Sequence, residues 1–381
     1  MFGTTELIPG ISQRQEVDAK LVRVRALLER RGLDAVVLRG SDAVAWATGG
    51  ITSPIERGVS VSPLWLVVRA DIAAAVTTNV ERARVDAEAG LHGLGIPLYE
   101  APWYEPLSLE LASLELADAP RARIGGLGTD VDDDLVEMRL ALLPPERERL
   151  AALARDATAA LEEALRAWTP GERDFDVQAR VSEHLERVGA FGACLIVGGD
   201  DRVERFRHPL ATGVPMTRLV MAVVVAERAG LHAAATRFAC SDGLSGGVRA
   251  ALDSALSVEA ATLEACVPGA TYGEVVETLA RAYAEAGHDG AWQEHYQGGP
   301  VGYRQREFEL VPTQTDSRWF SVALTEGHAV AWNPSIAGGG KAEDTYLVEP
   351  RGLRRLTDTG AWPLRADGCP AVLDVSTGEA A

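Results

Sequence analysis

Between Trp292 and Thr345 the chain reads W-Q-E-H-Y-Q-G-G-P-V-G-Y-R-Q-R-E and then A-W-N-P-S-I-A-G-G-G-K-A-E-D-T. His295, Gln297, Tyr303, Arg306 and Glu307 are set among Gly298, Gly299 and Gly302, while Asn333, Lys341, Glu343 and Asp344 stand around Gly338, Gly339 and Gly340. Glycine lets backbone approach a ligand closely or take positive φ. Polar side chains interleaved with it form the pattern of a site. Imidazole titrates near neutrality and serves as general acid or base. Carboxylates orient it, and amide, ammonium or guanidinium groups hold developing charge. Of 37 basic residues only Lys20 and Lys341 are lysines. A compact ammonium therefore stands in this stretch where the chain otherwise writes arginine, and the two cations are not equivalent. A further histidine, His208, lies in R-F-R-H-P-L. Arg306-Glu307 and Lys341-x-Glu343-Asp344 also read as structural ion pairs, and His232 as a strand-end histidine.

The elements that would position these groups follow from hydrophobic periodicity. Residues 1–16 read as a loose arm. Val17–Arg31 is predicted to be an amphipathic helix stopped at Gly32. Strands are expected over 33–39, 64–68, 72–77, 97–100 and 123–127, with helices over 42–48, 82–89 and 111–116. That alternation implies an α/β domain over residues 1–142. After Pro144-Pro145 the pattern changes. Helices are expected over 146–167 and 174–189, a strand over 195–198 and a polar loop at G-G-D-D-R. Paired antiparallel strands at 221–226 and 231–240 follow. Helices over 245–266 and 271–286 come next, the latter with a Thr271/Glu274 capping box, and then strands to Val348. Residues 143–362 thus form an α+β domain that repeats helix, helix, strands. Residues 363–381 read as a tail with no strong pattern.

Composition bounds the partners. The chain has 381 residues, 47% of them hydrophobic, and a formal net charge of −18. Such a charge argues against nucleic acid and anionic membranes as general partners. Cys194, Cys240, Cys266 and Cys369 are scattered without paired spacing, so free thiols in a reducing compartment are expected rather than disulfides. No signal-peptide pattern and no apolar run of ~18 residues is present, and a cytoplasmic protein is expected.

With these motifs in place the chain resembles the creatinase, prolidase and aminopeptidase P family, over roughly residues 17–362. V-P-G-A-T-Y-G-E-V, E-G-H-A-V-A-W-N-P-S-I, K-A-E-D-T-Y-L-V and R-H-P-L-A-T carry the likeness. The resemblance implies a pita-bread fold for the second domain and a homodimer. Metal-dependent members hold two divalent ions with two Asp, one His and two Glu, a donor set suited to Mn, Co or Zn. Laid on this chain, those positions fall near Val223, near Ala234, at or beside Gly299, at Asn333 and at Glu343. Only the last keeps a ligand, which implies no metal and no other cofactor. Creatinase works on a C–N bond without metal, and its catalytic histidine matches His208. Its active-site glutamates fall at Thr236 and Asn333. Arg57 matches a position at which an arginine of the partner subunit clamps the substrate carboxylate.

The resemblance therefore implies a metal-independent hydrolase of an amide- or amidine-type C–N bond in a small amino-acid-like or peptide substrate. His208, His295, Glu343 and Glu307 are the expected catalytic groups. Arg57, Arg237, Gln297, Tyr303, Arg306, Asn333 and Lys341 are the expected substrate-binding groups. Two rivals remain open: a lyase, isomerase or cyclase using the same pocket, and a non-catalytic peptidase-like binding protein.

Overall fold

The computed structural model describes residues 11–381 apart from Pro54 and Gly58. The chain divides into two compact units. The first runs to Arg139 and includes Ala229–Leu231; the second comprises Leu140–Arg228 and His232–Ala381.

In the first unit, helix α1 (Gln13–Arg31) is followed by β1 (Ala35–Gly40), α2 (Ser41–Ala47), β2 (Val61–Arg69), β3 (Ala73–Thr78), α3 (Arg82–Glu88), β4 (Leu98–Ala101), α4 (Ser108–Ala117), β5 (Ile124–Gly125) and α5 (Asp132–Leu140). The strands form one sheet in the order β4-β3-β2-β1-β5. Helix α1 begins earlier than its apolar stripe suggests. Ser12 caps it and Gln15 returns the bond to the Ser12 N–H, so the arm expected over residues 1–16 ends at Ser12. Its residues 1–10 and Pro54 of the loop before Arg57 lie outside the described residues. Val17, Leu21, Val24, Leu27 and Leu28 are buried, and Gly32 takes φ +62° to stop the helix.

The second unit opens with α6 (Pro144–Arg166), β6 (Glu172–Arg173), α7 (Asp174–Arg187), β7 (Phe191–Gly199), α8 (Asp201–Arg205), β8 (Pro215–Met216), β9 (Leu219–Arg228) and β10 (Leu231–Cys240). Then come α9 (Gly246–Ala265), α10 (Tyr272–Glu285), β11 (Gly298–Pro300), β12 (Ala329–Trp332), β13 (Ser335–Ile336), β14 (Gly340–Lys341), β15 (Tyr346–Glu349), β16 (Gly352–Arg355), β17 (Leu373–Asp374) and β18 (Glu379–Ala380). A five-stranded sheet runs β18-β17-β10-β9-β7, a four-stranded sheet runs β11-β12-β15-β16, and β13-β14 form a separate ribbon. The Thr271/Glu274 capping box closes the start of α10 as the sequence predicts.

Two local expectations change. The polar run after Gly199 contains the short helix α8 rather than only loop. Its entry is organised by Asp200, whose carboxylate accepts from the Thr217, Arg218 and Leu219 N–H groups at 2.8, 2.8 and 2.9 Å. The C-terminal stretch is not patternless. Strand β17 pairs in parallel with β10, and β18 folds back on β17. Two-residue strands are too short for periodicity to reveal.

The β13–β14 ribbon is held against α9 by a glycine. A Cβ on Gly340 would lie 2.1 Å from the Ala251 carbonyl oxygen of that helix. Gly338 and Gly339 make the turn itself, at φ +93° and +103°. Lys341 therefore enters the interior directly after a residue that can carry no side chain. Gly340→Ala should cost about 1–3 kcal/mol through forced displacement of packed backbone, read as a lowered midpoint in urea denaturation with an unchanged slope.

Candidate active site

Helix α10 sets the centre of the cluster. The Tyr283 hydroxyl donates to Gln297 Oε1 at 3.0 Å and accepts the Ser335 N–H at 2.8 Å. The Gln297 amide nitrogen donates to the Trp292 and His295 carbonyls, both at 2.8 Å. One tyrosine thus fixes both the loop carrying His295 and the ribbon carrying Lys341. Arg207 adds a second tie: its guanidinium bonds the Ser335 carbonyl and pairs with Glu294. That brings the 207–208 segment beside the 294–295 segment.

The ribbon register pairs Ser335 with Lys341 and Ile336 with Gly340. The Ala342 N–H continues it to the Pro334 carbonyl at 3.2 Å, which leaves Asn333 opposite Glu343. Residues two apart on an extended segment share a face. Asn333, Ser335, Lys341 and Glu343 accordingly present on one side, and Asp344 on the other.

Three ionisable groups line up at this face. Lys341 Nζ lies 3.2 Å from His295 Nε2, and His295 Nε2 lies 3.1 Å from His208 Nε2. The two imidazoles are 4.9 Å apart between centroids and tilted by 47°. His295 Nδ1 meets the Tyr296 carbonyl, which accepts only, so Nδ1 carries the proton and Nε2 is the acceptor. His208 and Lys341 both reach for that one lone pair.

Electrostatics agree with this assignment. Burial, then the neighbouring Lys341 ammonium and His208, push His295 down to about 3, so it is neutral at pH 7. His208 is also lowered, by desolvation first and Lys341 second, with Glu343 opposing. Lys341 is 3% exposed. Burial lowers it to about 8, Glu343 raising it and Arg306 lowering it further. Glu343, 2% exposed, accepts from Arg306 Nη2 at 2.7 Å through Oε1. Its Oε2 has no hydrogen-bond partner, nor have Asn333 Oδ1 and Thr236 Oγ1, all buried. Cys194 on β7 stands within electrostatic reach of Glu343, Lys341 and Arg306; burial raises its thiol first and Glu343 second.

The residues that the sequence grouped divide in two. His208, His295, Lys341, Glu343, Arg306 and Asn333 belong to the cluster. Four others are committed to the scaffold. Gln297 is taken up by Tyr283 and two carbonyls. The Tyr303 hydroxyl donates to Glu146 on α6 at 2.7 Å. Glu307 accepts the Tyr303 N–H at 2.7 Å, folding its own turn. Arg237 pairs with Asp344 at 2.9 Å and bonds the Thr357 carbonyl on the opposite side of the strand. Arg57 sits exposed in a turn of the first unit. Sequence reading missed Tyr283 and Arg207. Tyr283 carries a hydroxyl on the apolar face of α10, and Arg207 directly precedes His208, the one local signal each offers.

The five positions that the resemblance gives to metal ligands can now be tested. Val223 and Ala234 are buried side chains without donor atoms. Gly299 has none, and Asn333 brings an amide. Glu343 is engaged by Arg306. Among the described residues no three His, Cys, Asp or Glu side chains gather in a way that could hold a metal ion. These residues do not fit a dinuclear centre.

Comparison with known proteins places the chain. Nothing among curated protein sequences matches it significantly. Solved structures share its fold. They include a prolidase from Pyrococcus horikoshii OT3, at TM-score 0.70 and 20% identity, covering 90% of this chain and 98% of that one. A dipeptidase PepE from Mycobacterium ulcerans aligns at TM-score 0.73 and 18% identity, over 92% and 97% of the two chains. The N-terminal domain of the FACT complex subunit SPT16 from chickpea aligns at TM-score 0.69 and 9% identity, over 98% and 100%. The family model for metallopeptidase family M24 matches residues 148–350, more than half of the chain and nearly all of the second unit's helices and sheets, and the chain belongs to that family.

Proposed function

We propose that this protein is a metal-independent hydrolase that cleaves an amide- or amidine-type C–N bond in a small amino-acid-like or peptide substrate. The observation that carries this reading is the His208–His295–Lys341 row beside the Glu343–Arg306 pair. Membership of a peptidase family supports hydrolysis, and the poor fit of the ligand positions supports chemistry done by side chains.

His208 is the proposed proton-transfer group. In its hydrogen bond to His295 the His208 Nε2–H donates, which leaves Nδ1 as the base. It takes a proton from water as the oxygen attacks the carbonyl or amidine carbon. The same proton passes to the leaving nitrogen as the C–N bond breaks. His295, neutral and fixed in one tautomer, positions His208 and Lys341. Arg306 stabilises the charge that develops at the attacked carbon's heteroatom, Asn333 adds an amide, and Lys341 binds substrate. Glu343 holds Arg306 in place.

Three outcomes test the reading. Protein purified without chelator should carry well under one equivalent of Mn, Co, Zn or Fe by elemental analysis; two bound equivalents, or activity abolished by EDTA and restored by metal, refute metal independence. His208→Ala should fold normally and lose about 10²–10⁴-fold in turnover, with activity within a few-fold of wild type assigning the role elsewhere. The base form of His208 must be populated and Lys341 must stay charged. Activity should therefore persist as pH falls below the usual histidine value of 6.5 and decline as pH rises through about 8.

We further propose a homodimer in which Arg57 of one protomer clamps the substrate carboxylate at the other's site. Loss of a charge-assisted contact costs roughly 1.5–3 kcal/mol, so Arg57→Ala should weaken substrate binding by about one to two decades. Mixing Arg57→Ala with His208→Ala protomers should restore activity. A monomer in light scattering, or no recovery despite subunit exchange, overturns this shared site.

A further inference from the structure

We propose that Lys341 receives a carboxylate of the ligand, other than the one assigned to Arg57, beside the cavity that Lys341 helps to line. This deepens the reading of the cluster as a substrate site and names the chemical class that the site takes.

Other buried cations of this chain are paired with carboxylates. Lys20 pairs with Glu16 at 2.6 Å, Arg139 with Asp42 at 2.9 Å, and Arg237 with Asp344 at 2.9 Å. Each is buried and each has a carboxylate in contact. Lys341 is equally buried, yet among the described residues no carboxylate comes within ion-pairing distance of its Nζ. Its hydrogen-bond partner is His295 Nε2, a neutral acceptor. Glu343 is the nearby carboxylate of the same face, and it is engaged by Arg306. Lys341 and the part-exposed Arg306 therefore both act on Glu343, which contacts Arg306 and not Lys341. Removing a charge from water without a counter-charge costs several kcal/mol, and an anion arriving with the ligand would remove that penalty. A cationic ligand would meet the surplus positive charge and be repelled.

The space for such an anion is present. A cavity of about 210 Å³ is lined by Lys341, Arg207, Ser335, Phe206, Met221 and the Gly338–Gly340 turn. It is smaller than the ~300–1,000 Å³ of drug-sized pockets, which suits a molecule of amino-acid size. Glu204 and Glu294 also line it. Glu294 is paired with Arg207, and Arg205, also in the wall, is exposed and lies over the Phe206 ring; among the described residues Lys341 is the buried cation of the wall without a carboxylate in contact. The groups that act on the Lys341 charge come from every side: Glu343 on its own strand, Arg306 from the loop after β11, Cys194 from β7, Arg207 and His208 from the segment after α8, and His295. Burial is the largest influence, and Glu343 and Cys194 together do not offset it.

The scarcity of lysine makes the test direct. Protein labelled with 13C,15N-lysine should give two side-chain resonances, from Lys20 and Lys341, and a Lys20→Arg variant assigns the second by elimination. In free protein Lys341 should titrate near 8. Saturation with acetate or N-acetylglycine should raise that midpoint by about one pH unit or more, as a contacting opposite charge does. Lys20 should stay unmoved, and the neutral N-acetylglycinamide should have no effect. The proposal is overturned if neither carboxylate moves the Lys341 midpoint, if chloride or the neutral amide moves it equally, or if Lys341 titrates like an ordinary exposed lysine. The readout involves no turnover. A shifted lysine with no hydrolysis of any C–N substrate would count against the proposed reaction alone, and hydrolysis with an unmoved lysine would count against the carboxylate alone.

Discussion

The Tyr283 hydroxyl, receiving one N–H from the ribbon and donating to one amide of the histidine loop, is the contact on which the geometry of the second unit's site depends. Both partners are buried, so neither can turn to water for a substitute. Loss of that oxygen would leave the Ser335 N–H and the Gln297 carboxamide unmatched, at about 1–3 kcal/mol for each stranded group. More consequential is what the two bonds align. Ser335 sets the ribbon register that aims Lys341, and Gln297 holds the His295 carbonyl that aims its ring. A shift of one residue in the ribbon would send Lys341 and Glu343 to the other side of the strand. Gly340, admitting the Ala251 carbonyl so closely, makes that slip expensive.

Much of the fold was legible because long elements announce themselves. Helices α6, α9 and α10 carry continuous apolar stripes and start at Pro144-Pro145, Ser245 and Thr271. The β9–β10 turn sits at the expected Glu227–Gly230. The short pieces were not legible. Helix α8 depends on a side chain, Asp200, satisfying backbone groups from residues 217–219, and no local pattern encodes that distant contact. Strands β17 and β18 exist because β10 offers an edge, a tertiary fact.

The site was legible in its rare residues and not in its common ones. Lys341 and His295 among glycines, and His208 before a proline, stood out, and the structure brings both Lys341 and His208 to within hydrogen-bond distance of His295. Gln297, Tyr303, Glu307 and Arg237 stood in the same polar stretches or on the neighbouring strand, but their partners were invisible. Tyr303 meets Glu146 across 157 positions of sequence, and Arg237 meets Asp344 across 107. A polar residue among glycines satisfies the same pattern whether it faces a ligand or braces the loop. Only the identity of its partner separates the two.

The strand that bears Lys341 also separates charge between its faces. Toward the cluster it presents Lys341 and Glu343, with Arg306 alongside, and positive charge is in surplus. Asp344, one residue on, points to the opposite side, where Arg237 pairs with it and lies 3.6 Å from Glu162. Glu259 is buried there too and feels Asp344 and Glu343 as like charges. Desolvation and this crowding raise Glu259 strongly, and desolvation raises Asp344 and Glu162. A carboxyl whose folded pKa is raised gives stability that is present at low pH and lost as pH rises through the folded value. The crowded acids therefore favour the folded state when they keep their protons. Lys341 has the reverse dependence: its folded value is depressed, so unfolding takes up a proton between about 8 and the usual 10.5 and the folded state gains as pH rises across that window. Alternation along one extended segment thus sets a crowded acid cluster with raised pKa values on one side of a backbone and an under-neutralised ammonium on the other. The acids can relieve their burial by holding protons. At neutral pH the ammonium has no such route, because losing its proton requires a pH above about 8, and a counter-charge from outside the chain is what remains to it.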